Sequence, residues 1–390
     1  MDFNLNEEQR MIADAARRVG ERFGLEYWRD HDKRKAFPRE FWKAVCEAGI
    51  GGCTLPESYG GSGLGMLEMA VAIEELARAG GGSTVGQLFM LNPIFGGVAI
   101  NKYGTEAMRR ELLPRLCSGD LIFCMALTEP DAGTNTLEIT TFAKPDGDGF
   151  RLNGKKHWIT GTASAGKVLV VARTKKPEEV GKRTEGISLF LIDVEREGLS
   201  HGKIEKLGTN TLDSSTIFFD NVRIEKHETI GTLHNAWQEL LDVLNTERIV
   251  TTAALVGTTE LALKLAVDYA NDRRVFGKSP ISSYQGIQFP LAQAHAEIAC
   301  ARLMNYKAAA NCDSGQPYGV ESNLGKLIAS QACDTATIAA MQTMGGMGYA
   351  SEYHVERLWR DQRLFRFAPV SEEMILNFIA QHQLGMPRSY

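Results

Sequence analysis

The chain has 390 residues, of which 44% are hydrophobic, and it carries a net charge of −5 at pH 7. This length and composition predict a large buried core divided over two or three domains. The mildly acidic balance excludes the broad basic surface of a typical nucleic-acid-binding protein, so we expect no nucleic acid among its partners.

Residues 1–120 are predicted to form an N-terminal helical domain. Within this region, apolar residues recur at near-helical spacing over 66–79. The glycine-rich stretches 59–65 and 80–82 are predicted to connect helices, because glycine interrupts regular structure.

Residues 121–232 are predicted to form a middle antiparallel β domain. Short runs rich in β-branched and aromatic residues, separated by turn formers, are typical of strands. These runs are 167–173, 186–194 and 216–222. Residues 233–390 return to a helical pattern and predict a C-terminal helical bundle. Its long helical segments are 253–271, 288–310 and 324–344. The predicted fold class is therefore α+β.

The cysteines and histidines give no sign of a metal site. The seven cysteines are scattered and include no CxxC pair, so neither a zinc site nor a disulfide framework is predicted. The eight histidines show no HExxH and no clustered spacing, and we predict no metal. The polar N-terminus and the lack of a run of about 18 apolar residues predict no targeting peptide and no membrane insertion. We therefore expect a cytoplasmic protein.

Two motifs in the middle region are candidates for a ligand site. Residues 123–135, FCMALTEPDAGTN, form an apolar run and a flexible turn whose N–H groups and hydroxyls could bind a polar ring edge or a phosphate. An ordinary strand-to-loop turn is the alternative. Residues 154–161, GKKHWITG, place Trp158 and Thr160 on one face of a predicted strand. The indole could stack on a planar cofactor, and a core tryptophan is the alternative.

Two further motifs lie in the C-terminal region. Residues 269–277, YANDRRVFG, end a predicted helix, and the Arg273 guanidinium could bind a pyrophosphate through two hydrogen bonds. The alternative is a solvated arginine at a helix C-terminus. Residues 342–348, QTMGGMG, form either a loop whose backbone can approach a ligand closely or a plain helix-terminating turn. No GxGxxG follows a predicted strand, so a Rossmann site is not supported.

In this order, the four motifs resemble the pattern of the acyl-CoA dehydrogenase family. That pattern is a TEP-x-AGS turn, a W-I-T strand, a Y-A-x-x-R-x-x-F-G helix end followed by Gln, and a GGxG loop. Weaker similarity runs from Phe3 essentially to the C-terminus. The resemblance implies the predicted three-domain fold, bound FAD, an acyl-CoA substrate and an electron-transfer flavoprotein as partner. It also implies assembly as a homotetramer, a dimer of dimers.

Cofactor-binding positions follow from the resemblance, residue by residue. Around the flavin ring it places Met125, Leu127, Thr128, Gly133, Thr134, Trp158, Ile159 and Thr160. On the FAD of a neighbouring subunit it places Arg273, Phe276 and Gln285, with Gln342, Gly345 and Gly346 near the adenosine end. Ser371 and Glu373 also match cofactor-binding positions. Thr134 stands where serine is usual, keeps the hydroxyl, and also matches a substrate-binding position.

The catalytic base departs from the commonest family pattern. Most members carry it as the Glu of a YEGT run near the C-terminus, where this chain has APVS at 368–371. In the isovaleryl and long-chain branches the base lies at the start of a helix, just before an Arg, and Glu247 matches that position. The resemblance thus makes Glu247 the catalytic residue, with Asn245 and Arg248 on the substrate side. The alternatives are a helix-start glutamate that stabilises the helix dipole, and a base at Glu372.

The predicted function is FAD-dependent α,β-dehydrogenation of an acyl-CoA to a 2-enoyl-CoA, in fatty acid metabolism. Two alternatives stay open: an enoyl-CoA reductase similar to crotonobetainyl-CoA reductases, and a FAD-binding family member without catalysis. In the family, the backbone N–H at the position of Pro369 donates to the thioester carbonyl, and proline has no N–H. We therefore expect either that a neighbour such as the N–H of Val370 replaces it, or that simple straight-chain acyl-CoAs are slow substrates.

Overall fold

The computed structural model describes residues 4–277 and 279–388. The N-terminal part is helical, as predicted. Its first helix begins at a capping box, in which the Asn6 side chain accepts from the N–H of Gln9 at 2.8 Å and the Gln9 side chain accepts from the N–H of Asn6 at 3.0 Å. The helices are α1 (Glu7–Glu21), α2 (Gly24–Arg34), α3 (Arg39–Glu47), α4 (Met66–Leu76), α5 (Ser83–Phe89), α6 (Ala99–Tyr103) and α7 (Glu106–Cys117).

Two π-helical segments, Ala77–Gly81 and Met90–Val98, join α4 to α5 and α5 to α6. Gly80 has a φ of 138°, a conformation that favours glycine and produces a kink in the connection predicted at 80–82. Pro93 lies inside the second segment, where its missing N–H agrees with the irregular helical hydrogen bonding.

The middle domain is one sheet, and its pairings are mainly antiparallel, as predicted. The strands are β1 (Phe123–Ala126), β2 (Phe142–Asp146), β3 (Gly149–Thr160), β4 (Lys167–Arg173), β5 (Ile187–Asp193), β6 (Leu199–Lys203), β7 (Ser214–Ile224) and β8 (Thr229–Ile230). Their order is β6-β7-β3-β2-β4-β5-β8. The differences from the prediction are β1 and β2, which both pair with β4 in parallel, because the chain passes through the β2–β3 hairpin before β4 returns beside them.

The C-terminal part is the predicted helical bundle. Its helices are α8 (Trp237–Asp272), α9 (Gln285–Asp313), α10 (Gly319–Met344), α11 (Gly346–Tyr349), α12 (Val355–Gln362) and α13 (Glu372–His382). The longest, α8, begins well before the predicted segment and packs against α4 and α5 as well as α9 and α10. It thereby ties the N-terminal domain to the bundle.

Two helical stretches, Ser83–Tyr103 and Trp237–Asp272, are long and apolar enough to cross a membrane. In the fold, 94% and 83% of their most apolar windows are buried inside the protein. Core helices of this kind have the same apolar composition as membrane spans, and here the apolar surface packs against neighbouring elements.

Candidate active site

Two hydrogen bonds connect the segment that follows β1 to β3. The N–H of His157 donates to the carbonyl of Thr128 at 2.8 Å, and the Lys156 ammonium donates to the carbonyl of Leu127 at 2.7 Å. The Lys156 side chain is fully buried. The first two sequence motifs therefore lie side by side.

A buried ion pair holds this junction together. The Lys156 ammonium lies 2.9 Å from a carboxylate oxygen of Glu129, which also accepts from the N–H groups of Thr140 and Thr141 at 2.7 and 2.9 Å. Burial would raise the pKa of Glu129, but the Lys156 charge and these hydrogen bonds lower it to about 2. Burial lowers the pKa of Lys156 to about 8, although Glu129 opposes that change. The pair is therefore ionised at neutral pH.

Trp158 lies in a bulge of β3. The strand register shifts between Lys156 and Ile159, and Trp158 has a φ of 61°. The strict two-residue alternation used to predict a shared face for Trp158 and Thr160 does not hold here, because the bulge adds a residue to β3. Even so, Trp158 is 52% exposed and Thr160 is half-buried, while Ile159 between them is buried.

The exposed indole and the neighbouring turn give a surface that fits a flavin. Gly133 has no neighbouring atom within 4 Å of the place where a Cβ would lie, and Thr134 is exposed. Met125 and Thr128 are half-buried beside the turn. An accessible aromatic face next to open backbone and hydroxyl groups suits the planar ring and polar edge of that cofactor.

A second group of predicted cofactor residues lies on the outside of the helical bundle, where α8 ends. The Arg273 guanidinium makes no hydrogen bond or ion pair with any described residue. The Phe276 side chain is fully exposed, and Gln285, the first residue of α9, is exposed as well. A cation and an aromatic ring without hydrogen-bond, ion-pair or ring partners among the described residues are available to bind a ligand.

The third group, Gln342, Gly345 and Gly346, lies where α10 ends and is also exposed. Gln342 and Gly345 line a shallow pocket together with Trp359. Among residues 4–277 and 279–388, no hydrogen bond, ion pair or ring contact joins these exposed groups to Trp158.

Glu247 lies inside α8 and not at a helix start. The helix begins at Trp237, so an interaction of Glu247 with the helix dipole is excluded, because that effect is limited to the first turn. The Glu247 side chain is 4% exposed, and its carboxylate makes no hydrogen bond or ion pair within the described part of the chain. Burial raises the pKa of Glu247 to about 8, whereas the charges of Arg248 and Lys326 lower it.

The alternative base, Glu372, is occupied by partners. Its carboxylate accepts from Arg366 at 2.7 Å and from the Ser330 hydroxyl at 3.1 Å. A carboxylate that shares its lone pairs with a guanidinium is a poor acceptor for a substrate proton. Of the two glutamates, Glu247 is the one whose carboxylate has no partner among the described residues.

The other two substrate-side predictions lie within one turn of Glu247. The Arg248 guanidinium donates to the side chain of Asn245. Its Nε is buried and has no hydrogen-bond partner in the described part of the chain, which is uncommon for a charged group. Burial lowers the pKa of Arg248, with Glu247 acting in the opposite direction.

The run 368–371 leads into α13 and is held by a residue that the sequence analysis missed. The ammonium of Lys326, a fully buried residue of α10, donates to the carbonyl of Val370 at 2.7 Å. The N–H of Val370 donates to no acceptor among the described residues. Ser371 caps α13 by accepting from the N–H of Met374 at 3.3 Å, and Glu373 is exposed in the first turn.

Comparison with known families matches three consecutive models to the chain. They are the acyl-CoA dehydrogenase N-terminal domain over residues 6–120, the middle domain over 124–222 and the C-terminal domain over 237–384. Together these models account for most of the chain, in the same helical, β, helical order as the structure.

Two relatives show the range of the resemblance. The acyl-CoA dehydrogenase FadE12 of Mycobacterium tuberculosis is 37% identical over 387 residues, which cover 99% of this chain and 98% of the relative. A 3-(aryl)acrylate reductase of Clostridium sporogenes is 32% identical over 355 residues, which cover 90% of this chain and 92% of the relative.

Solved structures of similar proteins match the fold of this chain over almost its whole length. A glutaryl-coenzyme A dehydrogenase in complex with glutaryl-CoA has a TM-score of 0.94 at 31% identity, covering 100% of this chain and 98% of that chain. A glutaryl-CoA dehydrogenase from Mycobacterium smegmatis in complex with FADH2 has a TM-score of 0.91 at 26% identity, covering 99% of this chain and 96% of that chain. This chain belongs to the acyl-CoA dehydrogenase family and is an oxidoreductase that acts on acyl-CoA.

Proposed function

We propose that the protein uses FAD to convert an acyl-CoA to the 2-enoyl-CoA and passes the electrons to an electron-transfer flavoprotein. The observation that carries this proposal is the buried carboxylate of Glu247, which has no hydrogen-bond or ion-pair partner among residues 4–277 and 279–388 and feels the charges of Arg248 and Lys326. Such a base can take the weakly acidic proton from the carbon next to the thioester carbonyl. When bound, FAD supplies the acceptor for the hydride that leaves the next carbon.

The thioester carbonyl must be polarised as the proton leaves. Pro369 has no N–H for this purpose, but the N–H of Val370 has no acceptor among the described residues and is available. We infer that this N–H donates to the carbonyl oxygen of the substrate. A single donor of this kind contributes about 2.7–4 kcal/mol to the stabilisation of the transition state.

In the proposed homotetramer, each FAD is held by two subunits. Trp158 and Thr128 of one chain would contact the flavin ring, while Arg273 and Gln342 of its neighbour would contact the pyrophosphate and the adenosine end. Large apolar side chains are exposed on the bundle, and a subunit interface that buried them would remove apolar surface from water, which supports self-association. They include Phe276, Phe289, Leu303, Ile338, Met347 and Tyr349.

Arg273→Ala is expected to weaken FAD binding roughly tenfold to a hundredfold, because a charge-assisted hydrogen bond to the pyrophosphate is lost. Titration of the apoprotein with FAD, followed by flavin fluorescence, measures the change. Lys264→Ala removes an exposed cation from the same helix and serves as the control, with unchanged affinity expected. Equal affinity in all three proteins would contradict the role of Arg273.

The proposed function is tested by anaerobic addition of acyl-CoA thioesters to the FAD-loaded protein. We expect at least one of butyryl-, isovaleryl-, octanoyl- and palmitoyl-CoA to bleach the flavin absorbance. Reduction by a straight-chain thioester at about 10 s⁻¹ or faster would support the compensating role of Val370. Slow reduction by all of them would indicate a substrate with a more acidic α-proton. An FAD-loaded protein that no acyl-CoA bleaches would contradict dehydrogenation.

Reduction of a 2-enoyl thioester is the second candidate, because one relative over most of the chain is named a 3-(aryl)acrylate reductase. The two directions are separated by reducing the flavin chemically and adding crotonyl-CoA without oxygen. Reoxidation much faster than the bleaching of oxidised flavin by butyryl-CoA would favour a reductase. A cytoplasmic location and a role in fatty acid metabolism stay predictions from the sequence.

A further inference from the structure

Lys326 is a fully buried cation close to the candidate base. It lies on α10, and the one hydrogen bond that its ammonium donates among the described residues goes to the carbonyl of Val370 at 2.7 Å. An ammonium has three N–H donors, so the hydrogen bond to Val370 uses one of them and the other two can interact with further groups. A buried charge is costly unless nearby groups compensate it, and this makes the groups around Lys326 informative.

The charged groups that act on Lys326 come from three other elements. They are Glu247 and Arg248 on α8, Arg366 in the 3₁₀ segment Arg363–Arg366, and Glu372 on α13. Glu372 is bound by Arg366, and Arg248 donates to Asn245. Glu247 is therefore the carboxylate near Lys326 that has no partner among the described residues.

We propose that Lys326 is a positioning residue that holds the Val370 backbone for its contact with the thioester carbonyl and favours the ionised form of the Glu247 carboxylate through its charge. This inference rests on the proposed function, since it assigns Lys326 to the same reaction. It differs from the role of a structural lysine, because it couples one side chain to two groups of the site: a hydrogen bond to Val370 and an electrostatic interaction with Glu247.

The direction of the electrostatic effect follows from the surroundings of Glu247. Burial raises the pKa of Glu247, and the cations that lower it are Arg248 on its own helix and Lys326 on α10. Loss of the Lys326 charge should therefore raise the pKa further. An opposite charge near a carboxyl group favours its ionised form and can shift its pKa by about 1 unit or more, so we expect the pH at which Glu247 becomes active to rise by about 1 unit when the Lys326 charge is lost.

The test uses variants of Lys326 in the FAD-loaded protein. Lys326→Gln keeps a donor for the Val370 carbonyl and removes the charge, Lys326→Met removes both, and Lys326→Arg keeps the charge. Lys307→Met, which removes an exposed cation that pairs with Glu321 of α10, is the control. The rate of flavin reduction is measured against pH with whichever of butyryl-, isovaleryl- and octanoyl-CoA reduces the wild type fastest.

We expect the acid limb of the pH profile to move upward by about 1 unit or more in Lys326→Gln, and to return toward the wild-type position in Lys326→Arg. Lys307→Met should match the wild type. Lys326→Met should show the same shift and a lower plateau rate, because the Val370 contact is lost too. An unshifted limb in Lys326→Gln, or a uniform loss at every pH, would overturn the inference, whether or not Lys326→Met folds.

A second readout separates this inference from the proposed function. The melting temperature of each protein is compared with that of the same protein carrying Glu247→Gln, as a function of pH. The pH interval over which Glu247 affects the melting temperature should move upward in Lys326→Gln, and this requires no substrate. If no thioester reduces the wild-type flavin, the proposed function fails while this interval still decides on Lys326; an unmoved interval would refute the coupling.

Discussion

Glu247→Gln is expected to lower the rate of flavin reduction by on the order of 10²–10⁴-fold, the contribution of a positioned general base, while the FAD content stays at the wild-type level. The amide keeps the size of the side chain and cannot accept the α-proton. Stopped-flow flavin reduction with the best thioester measures the rate, and the absorbance spectrum measures the cofactor content.

Glu372→Gln is the matched comparison for this experiment, because Glu372 is the alternative candidate for the base and is also buried. Its carboxylate already accepts from Arg366 and Ser330, so its loss should cost far less rate than the loss of Glu247. A larger loss of rate in Glu372→Gln than in Glu247→Gln would show that the base has been assigned to the wrong residue.

Glu247→Gln should also change the folding stability of the protein in a pH-dependent way. Burial raises the pKa of Glu247 from 4.5 to about 8, so between these values the folded protein binds more protons than the unfolded chain. Folding stability contributed by this group is therefore present at low pH and is lost as the pH rises toward 8. The melting temperature of Glu247→Gln relative to the wild type should increase over this interval.

Lys156→Met is expected to destabilise the protein by about 3–5 kcal/mol, because it leaves the buried carboxylate of Glu129 without its counter-ion. Chemical unfolding followed by circular dichroism measures the change. Lys155→Met is the matched control, since Lys155 is the preceding residue on β3 and is exposed. Its unfolding free energy should stay within about 1 kcal/mol of the wild type.

A double variant that combines Glu129→Gln with Lys156→Met tests whether the ion pair is the cause of this destabilisation. Removing both charges avoids the unpaired carboxylate, so the double variant should be more stable than Lys156→Met alone. If the two effects simply add, the Glu129–Lys156 pair contributes no coupling, and the junction between β1 and β3 is held by the backbone hydrogen bonds instead.

Much of the fold could be predicted from periodicity. The run 167–173 coincides with β4, and the three predicted helices of the bundle all lie within α8, α9 and α10 or overlap them. The parallel pairing of β1 with β4 could not be predicted this way, because side-chain alternation is the same in parallel and antiparallel strands. The π-helical segments were missed for a similar reason, since their apolar composition does not differ from that of α-helix.

The residues of the candidate site also differ in how far the sequence alone could predict them. Thr128, Trp158 and Arg273 belong to local motifs, so their residue types and spacing in the sequence could predict a role in ligand binding. The sequence did not predict a role for Lys326, because a lysine in a helix normally indicates a solvated face. The available signal was its place in a stripe with Ser330 and Cys333, which lie four and seven residues further on and are buried as well. Its partner Val370 is remote in sequence, and only the fold brings the two together.

The length of α8 has a consequence for how subunits depend on one another. Glu247 lies near the beginning of this continuous helix and Arg273 follows its last residue, with roughly 39 Å of helix between them. In the proposed assembly, Glu247 acts in the active site of its own chain, and Arg273 binds the FAD in the active site of a neighbouring chain. Subunits carrying Glu247→Gln and subunits carrying Arg273→Ala should therefore complement each other. Mixed tetramers contain sites with both native residues, and at limiting FAD they should be more active than tetramers of either variant alone.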